Sequence, residues 1–343
     1  MNKGRNVQAS DTKSSVTAAS ETMLAKAARL LGFQVRFTAI WVALLLLLIL
    51  GLIFMKRSVD ITAILSILPF AAFLAMASMG QAIVLMARGI DLSVPSVIML
   101  SSTILLGISG GSDDNLAIAI VAAIGCAALV GVVNGALIAI LKLNALIVTL
   151  AVGAIVTGIT IWIRQDLKAE ANVPAALADF GGERFLGINS SVWIAAALAI
   201  VLAVLLRKTV IGRRFEAIGV NPQSAHTAGL DVMRYQGGAY VVAAILYGIV
   251  GVLLSGFIRN PTLDVGVPYL LAPIAAAVLG GTAISGGIGS MIAVVGASLF
   301  LIQLGQMLRI MGFATSHQLI IEGIAIALGM WLSSVGGRIG KSR

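Results

Sequence analysis

Residues 116–141 read LAIAIVAAIGCAALVGVVNGALIAIL, and this stretch decides the class of the fold. None of its side chains is charged, and the amide of Asn134 is its one strongly polar group. A helix that crosses a bilayer needs about 20 predominantly apolar residues, because a backbone in lipid must satisfy its own hydrogen bonds. The stretch therefore predicts a transmembrane helix.

The rest of the chain has the same character. Of its 343 residues, 59% are hydrophobic and 11% are charged, and the mean hydropathy is +1.05, whereas soluble domains carry about 25% charged residues. We therefore predict an all-α fold, a polytopic integral membrane protein with about ten transmembrane helices. The predicted spans lie near 37–55, 61–87, 94–110, 116–141, 145–164, 191–206, 236–258, 268–284, 290–308 and 317–335.

These spans divide the chain into a tail at 1–36, a transmembrane domain at 37–335 and a short tail at 336–343. No segment outside the spans is longer than about 36 residues, so we expect no appended soluble domain. In the first tail, apolar residues recur at helical spacing opposite Lys26 and Arg29. This pattern predicts either an amphipathic helix on the membrane surface or a loosely ordered leader.

The distribution of basic residues predicts the orientation. With the first tail inside, sixteen of the 23 Lys and Arg residues fall on the cytoplasmic side and seven fall outside. This bias follows the positive-inside rule, and an even number of spans then places both termini in the cytoplasm. The longest outer loop, about 165–190, is polar, and we interpret it as either a solvated connection or a docking surface for an external partner.

Several classes of function are excluded by the residues present. His226 and His317 are 91 positions apart, and neither has a partner at metal-ligand spacing. The basic residues are not interleaved with aromatic ones, so we expect no nucleic-acid partner. The tail at 336–342 lacks the first glycine of a phosphate-binding loop. We therefore expect no catalytic site, no metal and no cofactor, and energy must come from elsewhere.

The loop at 212–229 predicts a site for an energy-supplying partner. Asn221 suits an N-cap, Pro222 suits the first position of a short helix through about Ala228, and Gly229 suits its end. A short helix with small side chains between basic residues is suited to insertion into a groove, although an ordinary connecting loop would look the same. The candidate coupling residues are Arg213, Arg214, Ala217, Gly219, Asn221, Ser224, Ala225 and Gly229.

Short motifs in a fixed order then identify a resemblance. Residues 89–93 read GIDLS, residues 131–135 read GVVNG, and glycine pairs lie at 280–281 and 286–287. With the loop at 212–229, these blocks make the chain similar to the permease subunits of ribose-type ABC importers of monosaccharides, from about residue 61 to 335. The motif residues are Gly89, Asp91, Ser93, Asn134, Gly280, Gly281, Gly286 and Gly287.

The resemblance implies a function and a set of partners. It implies a permease in the bacterial inner membrane, paired with a second copy or a paralogous permease. A periplasmic binding protein would deliver the sugar, and a cytoplasmic ATPase docked on 212–229 would drive transport. The chain departs from the resemblance at Arg88, where Gly is usual, at Asn144 and Ala145, at Leu270 and Ala272, and near Glu322.

Two questions stay open at this point. The solute could instead be a branched-chain amino acid or another small molecule, and an ion-coupled carrier is an alternative that the scarcity of ionisable residues in the spans disfavours. Polar side chains within the spans could touch a passing solute or simply join helices by hydrogen bonds. These candidate path residues are Gln81, Asn134, Thr149, Gln303 and Gln306.

Overall fold

The computed structural model describes residues 37–165, 167 and 172–314, together with scattered positions between 316 and 327. The tail at 1–36 and its predicted surface helix lie outside the described residues. So do Glu322, most of the predicted span at 317–335, and the tail at 336–343.

Helices account for nearly all of the described structure. Seven of them are long and apolar enough to cross a membrane, and α3 is a shorter apolar helix. The prediction of an all-α polytopic membrane protein is thereby confirmed. The helices are α1 (Phe37–Phe54), α2 (Ile61–Met86), α3 (Val94–Ser109), α4 (Leu116–Gly135), α5 (Ala145–Gln165), α6 (Ala175–Gly182), α7 (Ser190–Lys208), α8 (Val210–Val220), α9 (Pro222–Thr227), α10 (Val232–Ile258), α11 (Ala272–Leu279) and α12 (Met291–Ile310).

The centre of the bundle is α2. From Ala71 to Met86 every residue of this helix is buried, and it packs against α7, α10, α11 and α12. Since α2 is apolar on all its faces, burial on every side is the arrangement that its composition favours. The helix thus forms the core around which the other spans are placed.

Glycines set the most extensive helix contact, which joins α4 to α10. A Cβ atom on Gly131 would lie 2.7 Å from the Tyr240 carbonyl oxygen, and one on Gly135 would lie 2.6 Å from that of Gly237. Small residues four positions apart let two backbones approach, which is a common basis of helix association in membranes. A five-residue π turn, Ala136–Ile140, continues α4 beyond this contact.

The segment predicted as a span at 268–284 has a different structure. A 3-10 helix at Leu263–Tyr269 overlaps only its first two residues, and α11 then follows with only 8 residues. Pro273 lies in the first turn of α11, and the chain after Gly280 is not helical up to Ser290. Hydropathy alone overestimated this helix, because it does not register that Pro273 favours a helix start and that Gly280 lies at the helix end.

The predicted outer loop at 165–190 is more ordered than a solvated connection. Helix α6 buries Leu177, Ala178 and Gly181, and it packs against α10. A two-residue turn follows, joining β1 (Arg184–Phe185) and β2 (Ile188–Asn189) into an antiparallel hairpin. The chain then enters α7, whose N-cap Asn189 accepts a hydrogen bond from the Ser191 amide.

Candidate functional site

The loop at 212–229 forms two helices joined at Asn221. Helix α8 begins at the N-cap Thr209, whose hydroxyl accepts from the Gly212 amide at 3.2 Å. Helix α9 begins where the sequence predicts, since the Asn221 side chain accepts from the Ser224 amide at 3.1 Å and Pro222 occupies its first turn. Beyond α9, Gly229 has φ +80°, a conformation that favours glycine. Sequence reasoning predicted α9 and missed α8.

The structure divides the predicted coupling residues into two groups. Gly219 and Ala225 are buried against the rest of the chain, and Ala225 is only 6% exposed. The other six lie on the surface: Arg213, Arg214, Ala217, Asn221, Ser224 and Gly229. Ser224 of α9 and the C-cap residue Ala228 are exposed, whereas Ala225 faces the rest of the protein.

Arg88 joins α8 to the end of α2. Its guanidinium donates from Nε to the Gly219 carbonyl at 2.8 Å and from Nη2 to the Val220 carbonyl at 2.6 Å. These two carbonyl groups end α8, where a helix leaves its last acceptors without internal partners. The Arg88 backbone has φ +67°, in a region that favours glycine. From the sequence, Arg88 was notable only because similar permeases usually have Gly at this position.

The glycine-rich segment after α11 completes the same junction. The Gly287 amide donates to the Met86 carbonyl at 2.8 Å, and Gly286 and Gly287 have φ of +92° and +85°. A Cβ on Gly219 would lie 2.5 Å from the Gly287 nitrogen, so only glycine fits there. Gly281 also has positive φ, and Gly280 lets the end of α11 lie against Val294 of α12.

A buried polar cluster lies three residues beyond Arg88. Asp91 is 1% exposed, and its Oδ1 accepts from the Ser93 amide at 2.8 Å and from the Ser93 hydroxyl at 2.6 Å. The Asn134 amide of α4 donates to the Ser93 hydroxyl at 3.0 Å. The Leu92 amide donates to the Thr149 hydroxyl of α5 at 3.0 Å. Two hydrogen bonds therefore fix this loop, one to α4 through Asn134 and one to α5 through Thr149.

Helices α2 and α10 enclose the cluster from the other sides. The side-chain amide of Gln81 is oriented so that both its nitrogen and its oxygen have a partner. Its nitrogen donates to the Asp91 backbone carbonyl at 3.0 Å, and its oxygen accepts from the Asp91 backbone amide at 3.2 Å. The same amide contacts the Tyr247 hydroxyl. The Tyr240 hydroxyl lies against the Cα of Gly89, where a Cβ would collide with it. Within the described residues, Asp91 Oδ2 and Asn134 Oδ1 have no hydrogen-bond partner.

The candidate path residues do not form one group. Gln81, Asn134 and Thr149 belong to the buried cluster at the end of α2. Gln303 and Gln306 lie on α12 near the start of α2, where their amides donate to the Ser58 carbonyl at 3.0 Å and the Ala63 carbonyl at 3.4 Å. Since α2 has 26 residues, its two ends are about 39 Å apart.

The pattern of motifs, spans and surface helices matches a known family. Residues 63–329 match the family described as "Branched-chain amino acid transport system / permease component". The chain belongs to this permease family. Members of the family are transporter components and not enzymes, and the matched region covers all of the helices from α2 to α12 except the first residues of α2.

Individual relatives within this permease family carry more specific names. The chain is 33% identical to the L-arabinose ABC transporter permease protein AraH of Azospirillum brasilense over 70% of each chain. It is 32% identical to the ribose import permease protein RbsC of Bacillus subtilis, over 78% of this chain and 84% of that one. It is 31% identical to the autoinducer 2 import permease LsrC of Shigella flexneri, over 75% of this chain and 74% of that one. No solved structure matches the chain.

Proposed function

We propose that this chain is the membrane-spanning permease subunit of a bacterial ABC importer. It passes a monosaccharide or a related small polyol, which a periplasmic binding protein delivers. A separate cytoplasmic ATPase drives the transport, and a second copy of the chain or a paralogous permease completes the pathway. The observation that carries this proposal is the similarity to arabinose and ribose permeases over 70% or more of the chain.

The choice of sugar over amino acid rests on the relatives. The family description mentions branched-chain amino acids, but the relatives at 31–33% identity are named for L-arabinose, ribose and autoinducer 2. A branched-chain amino acid is therefore the second candidate solute, and the family description is the observation that favours it.

The surface of α8 and α9 supports a docking role for the ATPase. Its exposed side chains combine two cations, Arg213 and Arg214, with the small residues Ala217 and Ser224. Charge at the rim of an interface mainly steers association, while small residues at its centre permit close approach. In this proposal Ala225 anchors α9 from behind, and Gly219 anchors α8.

Arg88 supports a route from the docked ATPase to the interior. Its side chain holds the last carbonyl groups of α8, and its backbone leads directly into Gly89 and Asp91. A displacement of α8 is thereby passed to the loop that joins α2 to α3. That loop in turn is bonded to α4 and α5 through Ser93 and Thr149, so the polar cluster acts as the joint at which the spans move together.

In the proposed topology the interrupted apolar segment Leu263–Leu279 is one of ten membrane passes. Residues 37–335 form the permease domain, and both terminal tails are in the cytoplasm. Residues 207–235 face the cytoplasm and residues 165–190 face outward, as the basic residues predict. Cysteines placed at Ser224 and Asn172 in a Cys126→Ala background test this arrangement with a membrane-impermeant reagent. In intact cells we expect labelling at position 172 alone. Labelling at position 224 alone would mean that the protein has the opposite orientation in the membrane.

The transport experiment uses vesicles containing the permease, its ATPase and its binding protein. We expect ATP-dependent uptake of radiolabelled L-arabinose or ribose, with no uptake when the ATPase is omitted. Uptake of leucine but of neither sugar would favour the second solute. Uptake driven by a sodium or proton gradient without the ATPase would reject the ABC mechanism.

A further inference from the structure

The tip of the hairpin between α6 and α7 carries large apolar side chains in an exposed position. Phe185 is 62% exposed and Leu186 is 77% exposed. Neighbouring positions include Glu183 and Arg184, which are also exposed. An apolar tip between charged residues is the pattern of a surface that meets a partner or a membrane.

The backbone of the turn makes this choice of residue more informative. Leu186 has φ +53° and Gly187 has φ +80°, so both central residues of the turn are left-handed. Two-residue turns of this kind favour Asn-Gly or Asp-Gly, because a bulky side chain is strained at positive φ. A leucine here is unfavourable for the turn itself, which indicates that its side chain serves another purpose.

The tip of the hairpin is held against the start of α7. The Phe185 ring packs edge-to-face against Trp193 with 6.0 Å between centroids, and the Trp193 indole donates to the Phe185 carbonyl at 3.1 Å. Trp193 lies in the first turn of α7, so the hairpin is held beside the start of a membrane span.

The length of α7 then fixes the depth of that turn. Its 19 residues rise about 28 Å, which is slightly less than the hydrocarbon thickness of about 30 Å. Since the whole helix is needed to cross, Trp193 must lie at the boundary of the hydrocarbon region, and Phe185 lies beside it.

The exposed face of α7 continues this apolar surface across the bilayer. Trp193, Ile200 and Val204 are all exposed and recur at helical spacing along one stripe. We propose that Phe185, Leu186 and Trp193 form a membrane anchor, whose hairpin tip inserts into the interfacial layer of the leaflet where α7 begins. Aromatic residues concentrate at this depth because their rings are apolar and their polar atoms can still reach water.

The anchor has a structural consequence for the outer segment. Helix α6 packs through Gly181 on the backbone of α10 at Gly256, and the Asn189 amide donates to the Gly181 carbonyl at 2.8 Å. An inserted tip would therefore hold α6 and the end of α10 at a fixed depth in the leaflet. This inference requires only that α7 spans the bilayer, and it does not depend on the proposed import function.

Spin labelling in lipid nanodiscs tests the insertion. Single cysteines at Leu186, Glu183 and Ile200 in a Cys126→Ala background are labelled with a nitroxide, and collision with oxygen is compared with collision with a water-soluble nickel chelate. We expect the oxygen-to-nickel ratio at 186 to fall between the aqueous value at 183 and the deep value at 200. A ratio at 186 equal to that at 183 would overturn the proposal, and so would protection from nickel that appears only when a binding protein is added.

The variant Leu186→Asn distinguishes a role of Leu186 in lipid contact from a role in the turn. Asparagine is the better residue for the turn, so a purely structural hairpin would gain stability from the substitution. We expect instead that the unfolding temperature in nanodiscs falls, because the apolar contact with lipid is lost. An unfolding temperature above that of the wild-type protein would reject the anchor. The matched substitution Glu183→Asn, at an exposed position directly before the hairpin, is expected to shift it little.

Discussion

The two ends of α2 are both held by buried polar side chains, but they are held differently. At its start, Gln303 and Gln306 each reach from α12 to a backbone carbonyl. At its end, Gln81, Ser93, Asn134 and Thr149 connect a single loop to three helices. The first arrangement joins one pair of neighbours, whereas the second joins several elements at one point. Polar residues of the same type therefore have different consequences depending on how many helices they connect.

The second end is also the one that adjoins the surface. Arg88 links the loop to α8, whose exposed face we propose as the docking site. We therefore expect changes at the end of α2 to affect transport, and changes at its start to affect stability alone.

The largest effect is expected from Gly89→Ala. Its methyl group would collide with the hydroxyl of Tyr240, which is 1% exposed and has no room to move. Overpacking of this kind costs about 1–3 kcal/mol, so the thermal unfolding midpoint in detergent should fall clearly. Gly158→Ala on α5 is the matched control, because a Cβ there has no atom within 4 Å.

A double variant shows whether the collision is the cause. Tyr240→Phe removes the hydroxyl, which has no partner among the described residues, so by itself it should change stability little. Combined with Gly89→Ala it should restore part of the lost stability. If the stability lost in the double variant equals the sum of the losses in the two single variants, the contact has been misassigned.

The next largest effect is expected from Asn134→Leu. The substitution removes the hydrogen bond to Ser93 and so separates α4 from the loop at the end of α2. Interhelical bonds of this type contribute about 0.6–2 kcal/mol in membranes. We expect weaker assembly and a lower transport rate per assembled complex. Gln303→Leu serves as the comparison at the start of α2, and it should reduce stability but leave that rate unchanged.

These contacts also define what could be predicted from the sequence. The spans were predicted well wherever long apolar runs are uninterrupted, as in α4, because the cost of exposing polar backbone to lipid depends on local composition. The start of α9 was predicted from Asn221 and Pro222, since capping is determined by neighbouring residues. The span at 268–284 was overestimated, because the breaks at Pro273 and Gly280 interrupt an apolar run without changing its hydropathy.

Contacts between distant positions could not be predicted. Arg88 and Gly219 are 131 residues apart in sequence, and nothing in either segment indicates that they meet. The inward orientation of Ala225 depends on how α9 packs, and the separation of Gln303 from Gln81 depends on the arrangement of α12 along α2. The sequence identified most residues of the polar cluster by type and motif, but their grouping required the tertiary structure.

A smaller and more specific effect is expected from Arg88→Gly. Glycine suits the backbone at φ +67°, which offsets part of the stability lost with the two hydrogen bonds. A hydrogen bond from a charged group contributes about 1.5–3 kcal/mol. Because Arg88 is exposed, solvent screening lowers its contribution to about 1 kcal/mol, or about fivefold in an equilibrium. We therefore expect the thermal unfolding midpoint to change little. We expect the amount of solute transported per ATP hydrolysed to fall about fivefold.

The control for this variant is Lys208→Ala, which removes an exposed cation at the end of α7. This variant should leave the amount of solute transported per ATP hydrolysed unchanged. A normal ratio in Arg88→Gly would mean that α8 does not act through Arg88, while the proposed import function would still stand on the uptake experiment.

The smallest effect is expected from Gln306→Met at the start of α2. The Gln306 amide nitrogen lies 3.4 Å from the Ala63 carbonyl, which is a weak hydrogen bond, and its oxygen is buried without a partner among the described residues. A buried polar atom without a partner costs about 1–3 kcal/mol, so an apolar side chain of similar length should be neutral or slightly stabilising. Chemical or thermal unfolding of the variant measures this directly. A loss of more than about 1 kcal/mol would mean that Gln306 has a second partner, and the two ends of α2 would then be more alike than their contacts indicate.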